Sequence, residues 1–314
     1  MAVARAGNFT AAASSLHLTQ SSLTKTIREL EQEINLVLFE RTTRQTHMTA
    51  TGQTFLPNAV RLLNDFELTL ADLRAQSHGT SGTVRIAAGL AFASTVLPRV
   101  LRELQARHPG ISVSLTDDTS GGVIRRISSG EVDIGIGSYV GAAVNVLAIR
   151  RLLRARLGVL FPAGYVHVPS QVSTEDLERY PIMKDVEDSS IATSMRKNLP
   201  ATWSKVDNTI TVTNLDLQIS LVREGVGACI LSALAASHPS ARAMPFRLME
   251  DSGLYRDVYL FTRKGVSLSP AATTVVKIME EVLPHLNFVE GVSVDETPSG
   301  EDQDAERLQG GEKA

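Results

Sequence analysis

Residues 10–34 read TAAASSLHLTQSSLTKTIRELEQEI, and this stretch decides the fold of the N-terminal region. The small residues after Thr10 predict a short helix over residues 11–16, because threonine is a good N-cap. A tight turn follows, and Thr19 caps a second helix that we expect over residues 20–34. Two helices joined by a tight turn are typical of a helix-turn-helix.

The second predicted helix has an apolar stripe and a polar face. Its apolar residues recur every three or four positions, the spacing of one buried stripe: Leu23, Ile27, Leu30 and Ile34. Short polar or cationic side chains occupy the other positions near its start: Gln20, Ser21, Ser22, Thr24, Lys25 and Arg28. In a helix-turn-helix such a face meets the major groove, where glutamine pairs with adenine and lysine or arginine with guanine or phosphate. The pattern alone leaves DNA binding and an ordinary helix pair with a polar outer face equally open.

A short hairpin is predicted after this helix. The runs LVLFER over residues 36–41 and TTRQTHMT over residues 42–49 predict a β-hairpin wing. Arg41 and Arg44 would then contact phosphate or the minor groove. Together with Thr19 at the start of the second helix, they complete the set of candidate DNA-binding residues.

From about Thr49 the sequence predicts a long helix. Its apolar residues have spacings close to those of a coiled-coil seam: Phe55, Ala59, Leu62, Phe66, Leu70 and Leu73. We expect Pro57 to bend or locally break the helix, because an interior proline costs roughly 3 kcal/mol. The seam favours a dimerisation helix, which would set two recognition helices a helical turn of DNA apart. The alternative is that this segment is one more amphipathic helix in the core of a monomer. The polar, glycine-rich residues 76–82 predict a hinge.

Strand and helix patterns alternate from Thr83 onward. Such alternation predicts βαβ units, a parallel sheet and two α/β lobes with a cleft between them. We expect strands over residues 83–88, 111–115, 132–137, 157–161, 210–212, 227–231 and 258–261. We expect helices through residues 97–104, over 123–128, near 174–179, over 215–223 and from about 270 to 286.

Ligands of such sheets gather at the carboxyl ends of strands, where helix N-termini and free backbone N–H groups point into a crevice. The candidate effector-binding residues lie in a predicted loop over residues 89–94 and in turns after later strands: Leu90, Ala91, Phe92, Ala93, Ser94, Thr119, Ser120, Ser189, Ser190, Thr213 and Asn214. Taken singly, each of them is better interpreted as an ordinary helix-cap or turn residue. Together they would line one cleft.

The charge of the chain is unevenly distributed. The 314 residues carry a formal net charge of −3. From Asn287 onward eight acidic residues stand against two basic ones, a net charge of −6, so the rest of the chain carries +3. Because this acidic stretch cannot bury a core, we expect disorder there, and the overall charge does not argue against DNA binding.

Composition and motifs exclude several classes of protein. The chain is 43% apolar and 21% charged, as in globular proteins, and its length suggests two or three compact units. No apolar run reaches the roughly 18 residues that span a bilayer, and no secretion signal is recognisable. Cys229 is the one cysteine of the chain, which excludes an intrachain disulfide and fits a reducing cytoplasm. We expect its thiol to be buried and unreactive. Without metal-ligand spacings, a Walker loop or a nucleophile elbow, we expect no metal, no cofactor and no enzymatic activity.

Many spaced positions together resemble LysR-type transcriptional regulators. The matches to their DNA-binding domain are residues 7–13, 16–31, 38–41 and 49–52. The matches to their effector domain, which is similar to a periplasmic solute-binding fold, are residues 97–98, 108–110, 129–133 and 222–227. The resemblance covers nearly everything except the tail. It implies that the residues facing DNA are Gln20, Ser21, Ser22, Thr24, Lys25, Arg28, Arg41 and Arg44.

The chain departs from the family pattern in four places. Ser21 stands where many members carry proline, which is a mild variation. Ala91 stands where several members have a polar residue that touches the effector, which suggests a less anionic ligand or one bound through backbone donors. Ser232 replaces the usual proline after a strand. Members usually carry about nine further residues ahead of the position of Met1. Either the start codon of this chain is placed too late, or the first helix is truncated and the packing beneath the recognition helix is weaker.

The resemblance implies a multi-domain α+β fold with a two-lobed α/β effector domain. The expected parts are a winged helix-turn-helix over residues 1–49, a dimerisation helix over 50–78, an effector domain over 79–288 (lobes 83–155 with 264–288, and 156–263) and a disordered acidic tail over 289–314. We expect a cytoplasmic, ligand-responsive regulator that binds palindromic double-stranded DNA as a homodimer or homotetramer. Its further partners would be a small-molecule effector and RNA polymerase, and no membrane. A small-molecule or partner-binding sensor with an impaired DNA-binding domain is the alternative.

Overall fold

The computed structural model describes residues 1–41, 46–78, 81–139, 145–165, 167–186, 189–206, 210–212, 214–250 and 253–295. For residues 41, 69 and 71–78 it describes the backbone alone. The chain divides into two compact units, which are residues 1–70 with 129–131, and residues 71–128 with 132–314. Each unit has its own buried apolar core.

The first unit contains short helices, a hairpin and the start of a long helix. Its elements are α1 (Ala2–Ala6), α2 (Phe9–Ser15), α3 (Gln20–Glu33), β1 (Phe39–Arg41), β2 (Thr46–Met48) and α4 (Ala50–His78). The predicted helix pair and the antiparallel hairpin are confirmed. The predicted start of the first helix of this pair is wrong, because Asn8 rather than Thr10 caps α2. The Oδ1 of Asn8 accepts a hydrogen bond from Ala11 N at 2.7 Å. Asn8 has the extended backbone that lets a side chain reach this amide.

A small apolar core holds α2 against α3. Its buried members are Val3, Phe9, Ala12, Ala13 and Leu23. The predicted stripe of α3 is buried only at its start, since Leu23 is 6% exposed and Leu30 is 37% exposed. The reason is that α1 and α2, with five and seven residues, are too short to cover the second half of α3.

The long helix α4 runs through Pro57 without interruption. The expected break is therefore wrong. Proline cannot donate the backbone hydrogen bond of its position, but the helix continues on both sides of it.

The second unit begins with β3 (Gly82–Ala88), α5 (Leu90–Thr95), α6 (Leu97–Arg107), β4 (Ile111–Asp117), α7 (Ser120–Ser128), β5 (Ile134–Gly137) and β6 (Leu147–Leu160). It continues with α8 (Thr174–Arg179), β7 (Ile182–Asp185), α9 (Ser190–Asn198), α10 (Pro200–Lys205), β8 (Thr211–Val212), α11 (Leu215–Arg223) and β9 (Ala228–Ser232). It ends with α12 (Ala233–Ala236), β10 (Phe246–Leu248), β11 (Tyr255–Arg263), α13 (Pro270–Val282), a 3₁₀ turn (Leu283–His285) and β12 (Val292–Val294).

The sheet of this unit is mixed, not parallel as predicted. Its strand order is β4-β3-β5-β11-β6-β9-β7-β8, with β10 and β12 also paired to β6. The pairs β3–β4, β3–β5, β7–β8 and β7–β9 are parallel, whereas β11 is antiparallel to β5 and β6, and β6 is antiparallel to β9. Periodicity cannot distinguish these directions, because they depend on where a distant strand returns.

The strand β6 joins the two lobes. Its first part pairs with β11 in the first lobe, and residues 157–160 pair with β9 in the second. The prediction of a strand over 157–161 missed the first ten residues, because arginines interrupt the apolar run. Two of those arginines pair with acids across the sheet, with Arg151 2.8 Å from Asp295 and Arg154 2.7 Å from Asp257.

Two predicted boundaries are also wrong. The second lobe was expected to include residues 156–263, but β11 pairs with β5 and so belongs to the first lobe. The tail was expected to be disordered from residue 289, but β12 pairs with Leu153–Ala155 of β6, because Val292 and Val294 pack against the core of the first lobe. The rest of the predicted tail, from residue 296, lies outside the described residues.

Cys229 lies in β9 and is fully buried, as predicted. Burial raises the pKa of its thiol, so the reactive thiolate is disfavoured. Among the helices that the structure describes, none is both long and apolar enough to cross a membrane.

Candidate nucleic-acid interface and ligand cleft

The start of α3 presents a row of exposed polar side chains. Thr19 caps the helix as predicted, since its Oγ1 accepts a hydrogen bond from Ser22 N at 3.2 Å and lies 3.0 Å from Ser21 Oγ. Thr24 is half-buried, and the other predicted residues of this face are exposed: Gln20, Ser21, Ser22, Lys25 and Arg28. The spacing of positions 20, 21, 24, 25 and 28 places them on one side of the helix. This surface can reach base edges and phosphates.

Two cations make this face positive. Lys25 is 79% exposed and lies 3.7 Å from Glu29. An exposed pair of this kind contributes little stability, so Lys25 can exchange Glu29 for a phosphate. Arg28 is exposed and has no ion pair within the described ranges.

Glu31 connects α3 to the wing. One oxygen of its carboxylate accepts hydrogen bonds from Leu38 N at 2.8 Å and from Phe39 N at 3.1 Å. These amides belong to the first strand of the wing and the residue before it. Glu31 therefore fixes the wing relative to α3, a role that sequence reasoning missed because glutamate on a polar helix face looks like any solvated residue.

Thr49 connects the wing to α4. Its Oγ1 donates to Val37 O at 2.7 Å and accepts from Gly52 N at 2.9 Å, and its backbone N donates to Leu38 O at 3.0 Å. A Cβ at Gly52 would lie 2.3 Å from Leu38 O, so this close approach requires glycine. The wing, α3 and α4 are thus held together through residues 37–39.

The two predicted arginines of the wing cannot be placed. Arg44 lies outside the described residues, and only the backbone of Arg41, at the end of β1, is described.

The predicted dimerisation face of α4 is exposed in its middle part. Leu62 is 65% exposed and Phe66 is 61% exposed, and the neighbouring Leu63 is 48% exposed. Phe55, Ala59 and Leu70 are half-buried, and the side chain of Leu73 lies outside the described residues. A row of uncovered apolar side chains on a long helix is an unpartnered surface.

In the first lobe, the carboxyl ends of three parallel strands meet. Gly89 N donates to Ile136 O at 2.8 Å, and Asp118 N donates to Ala88 O at 3.1 Å. The candidates Leu90, Ala91, Thr119 and Ser120 follow directly after these strands, so the structure brings them to one edge. Ala91 packs against the apolar clusters of both lobes.

The residues 90–94 form the helix α5, not the predicted loop. Phe92 is 1% exposed and belongs to the core of the first lobe, so its assignment to the ligand site is wrong. Ser94 Oγ donates to Leu90 O at 2.8 Å, inside the helix. A small-residue run with one aromatic was mistaken for a loop because it is only six residues long.

In the second lobe, the candidates cap helices. Ser189 caps α9 by accepting from Ala192 N at 3.0 Å, with Ser190 as the first helical residue. Asn214 caps α11 by accepting from Asp216 N at 2.8 Å. Thr213 lies outside the described residues. These helices follow β7 and β8, so the caps lie at the carboxyl edge of this half of the sheet.

Sequence reasoning missed a polar group at the meeting point of the lobes. Arg256, at the start of β11, donates from Nε to the Oγ of Ser138, which follows β5 and is 4% exposed. Burial lowers the pKa of Arg256, and the charge of Asp185 at the end of β7 partly offsets this effect. The group joins residues 118 positions apart in the chain, so no local pattern could have found it.

Comparisons with known proteins agree with this geometry. The family model described as "LysR substrate binding domain" matches residues 77–284, and the model described as "Bacterial regulatory helix-turn-helix protein, lysR family" matches residues 1–53. HTH-type transcriptional regulator ClcR of Pseudomonas putida is 39% identical over 157 residues, which are 50% of this chain and 53% of ClcR. The alignment thus spans about half the length of that relative.

Two further matches cover most of the chain. The uncharacterized HTH-type transcriptional regulator YbhD of Escherichia coli (strain K12) is 26% identical over 285 residues, which are 86% of this chain and 85% of YbhD. The crystal structure of full-length CbnR complexed with its target DNA is similar with a TM-score of 0.63 and 22% identity, over 89% of this chain and 96% of that one. At this identity the similarity to CbnR indicates the fold.

Proposed function

The chain belongs to the LysR family of transcriptional regulators, and from that premise we propose that it binds DNA through α3 and responds to a small molecule in the interlobe cleft. The single observation that carries the proposal is the exposed row on the first turns of α3, with Gln20 and Lys25 uncovered and Thr19 capping the helix. Members of the family regulate transcription, so the proposal contains no catalytic step.

The chemistry of α3 suits direct readout of bases. Gln20 can donate to and accept from adenine in the major groove, while Lys25 and Arg28 can bind guanine or phosphate. Glu31 holds the first strand of the wing to the same helix, so the wing would lie on the DNA backbone beside the groove. In this arrangement the helix specifies sequence and the cations supply affinity.

We propose that α4 forms a dimer. Burying Leu62, Leu63 and Phe66 against a second copy would remove an exposed apolar surface from water. A twofold dimer would set two copies of α3 on half-sites about one helical turn of DNA apart. For longer operators, we propose that two such dimers pair into a tetramer.

We propose the cleft as the effector site. Ser138, which follows β5, accepts a hydrogen bond from Arg256 of β11, and the charge of Asp185 in the second lobe acts on Arg256. Ala91 of α5 packs against the apolar clusters of both lobes. A ligand there would touch both lobes and shift the populations of two lobe arrangements, which would change how the dimer holds DNA.

One observation favours a second candidate, a sensor that binds a partner rather than DNA. The first unit exposes several apolar side chains around its small core: Leu16, Leu18, Leu30, Leu36 and Val37. Such a surface fits a unit of low stability or one that docks on another protein.

A nuclease footprint on DNA upstream of this chain's own gene separates the two candidates. The regulator predicts protection over two half-sites, and salt titration of the same complex predicts a steep loss of affinity. Lys25→Ala should flatten the salt dependence by about one phosphate, a slope change of roughly 0.9. Absence of sequence-dependent protection at low salt would favour the partner-binding sensor.

A further inference from the structure

Arg256 lies between the two lobes of the second unit. Its Nε donates a hydrogen bond to the Oγ of Ser138, which follows β5 in the first lobe and is 4% exposed. The charge of Asp185, at the end of β7 in the second lobe, acts on the same guanidinium group. Groups from both lobes thus act on Arg256, which places it in the interlobe cleft.

The positive charge of Arg256 has no acidic partner at ion-pair distance. Within the described ranges, no carboxylate oxygen lies within 4.0 Å of its nitrogens, and this includes the oxygens of Asp185. The hydroxyl of Ser138 is neutral, so it orients the guanidinium group without balancing its charge. Burial lowers the pKa of Arg256, but a guanidinium group stays protonated at neutral pH.

The outer edge of this guanidinium group is open. Nη1 and Nη2 make no hydrogen bond to the residues that the structure describes, and neither atom is sealed from solvent. Arg256 is half-buried, whereas Ser138, which accepts from its Nε, is buried. Two parallel donors on one open edge match the two oxygens of a carboxylate.

The unbalanced charge gives the cleft a preference for anions. A cation that is partly removed from water without an anion beside it is unfavourable. An anion that enters the cleft offsets this effect, because charge-assisted hydrogen bonds are roughly twice as strong as those between neutral groups. A neutral ligand of the same shape gains less, so the cleft should discriminate between ligands by their charge.

Ala91 alone suggests a less anionic ligand, because several family members have a polar residue at its position. Its side chain packs against the apolar clusters of both lobes, so it borders the cleft on an apolar side. Arg256 supplies from β11 the polar group that position 91 lacks.

We propose that the ligand of the interlobe cleft is a small organic anion whose carboxylate is bound by Nη1 and Nη2 of Arg256, with Ser138 as a positioning residue. This inference rests on the proposed function, because it names the chemical class of the ligand for the same cleft. Asp185 repels such a ligand, and it belongs to the second lobe. A bound carboxylate would therefore favour lobe arrangements in which Asp185 lies farther from Arg256.

The test measures binding to the full chain by calorimetry, with three carboxylates of different size, each beside its neutral amide. The probes are acetate with acetamide, hexanoate with hexanamide, and benzoate with benzamide. At least one carboxylate should bind saturably and more tightly than its amide. Arg256→Gln should weaken that carboxylate by at least about tenfold, because hydrogen bonds to a charged group are lost. Arg256→Lys should weaken it less, because lysine retains the charge but not the two parallel donors.

Two further variants test the surroundings of Arg256. Asp185→Asn should tighten the carboxylate roughly threefold, because a nearby negative charge is removed, while asparagine keeps the oxygen that accepts from Val186 N. Ser138→Ala should lower the ratio of carboxylate affinity to amide affinity, because Arg256 loses the acceptor that orients it. A merely structural role of Ser138 would change both affinities alike.

The matched control is Arg179→Gln, an exposed arginine of α8 that should bind the carboxylate like the original chain. Circular dichroism checks that each variant is folded. Three results would overturn the proposal: no saturable binding of any carboxylate, equal affinities for carboxylate and amide, or an unchanged carboxylate affinity in Arg256→Gln.

The nuclease footprint of the original chain separates this inference from the proposed function. Sequence-dependent protection together with equal affinities for carboxylates and amides would overturn the anionic ligand and leave the regulator standing. Carboxylate binding that depends on Arg256, without protection of any DNA, would support the anionic ligand and contradict the regulator.

Discussion

Glu31 Oε1 accepts a hydrogen bond from the backbone N of Leu38 at 2.8 Å, across seven positions of the chain. The same oxygen accepts from Phe39 N at 3.1 Å. A buried amide needs an acceptor, and Leu38 is 4% exposed. This carboxylate therefore fixes the start of the wing to α3, while Thr49 fixes it to α4.

Glu31→Ala should destabilise the first unit by about 1–3 kcal/mol, because it leaves the buried amide of Leu38 without an acceptor. Amide hydrogen exchange in α2 and α3 measures the effect within that unit. Glu33→Ala, at an exposed position of the same helix, is the matched control. Equal protection in the two variants would show that Glu31 does not hold the wing.

Gly52→Ala should destabilise the same unit, although alanine usually favours a helix by about 0.5–1 kcal/mol over glycine. The added Cβ would lie 2.3 Å from Leu38 O and would force the residue before β1 away from α4. The control is Gly121→Ala in α7, where a Cβ meets nothing within 4 Å and a small gain is expected. Thermal unfolding compares the two, and a stabilised Gly52→Ala would contradict the close approach.

Leu62→Glu should weaken self-association by at least about tenfold, because each copy loses an apolar contact of roughly 1.5–3 kcal/mol. The fold should not change, since Leu62 is 65% exposed. Sedimentation equilibrium measures the dimer constant, with Glu67→Gln on an exposed position of α4 as the control. An unchanged constant would exclude this part of α4 from the interface.

Asp118 should make stability sensitive to acid. Burial opposes ionisation, but the hydrogen bond from Arg126 Nε at 2.8 Å and the one from Thr119 N hold its pKa below the ordinary 3.8. Because the folded pKa is the lower one, this stabilisation is present above the ordinary pKa and is lost as pH falls through the folded value.

Asp118→Asn should therefore show a shallower loss of thermal stability than the original chain between about pH 5 and pH 2. The exposed neighbour Asp117→Asn is the control. Parallel curves for Asp118→Asn and the original chain would show that the ion pair contributes nothing to the acid response.

Local features were predictable from the sequence. Thr19 caps α3 and the helix begins at Gln20, because a cap and the periodicity after it lie within a few residues of each other. The wing and the burial of Cys229 were predictable for the same reason. Phe92 was misplaced because a six-residue helix has too few positions to show its period.

Long-range features were not predictable. The antiparallel return of β11, the pairing of β12 with β6 and the hydrogen bond between Arg256 and Ser138 all join distant residues. The arginines of β6 resemble a solvated segment in the sequence, whereas the structure pairs the segment with β11 and places acids across the sheet from Arg151 and Arg154. Sequence reasoning therefore found the helix that would read DNA but not the polar centre of the cleft.

Selection of bound sequences from a random duplex pool, at one stated salt concentration, tests the central claim most directly. If α3 reads bases, the full chain should enrich two half-sites about one helical turn apart, and Gln20→Ala should lose roughly 1–3 kcal/mol of preference at one base pair of each. If no sequence is enriched, or if Gln20→Ala selects the same sites with the same preference, the assignment of α3 as the recognition helix is wrong.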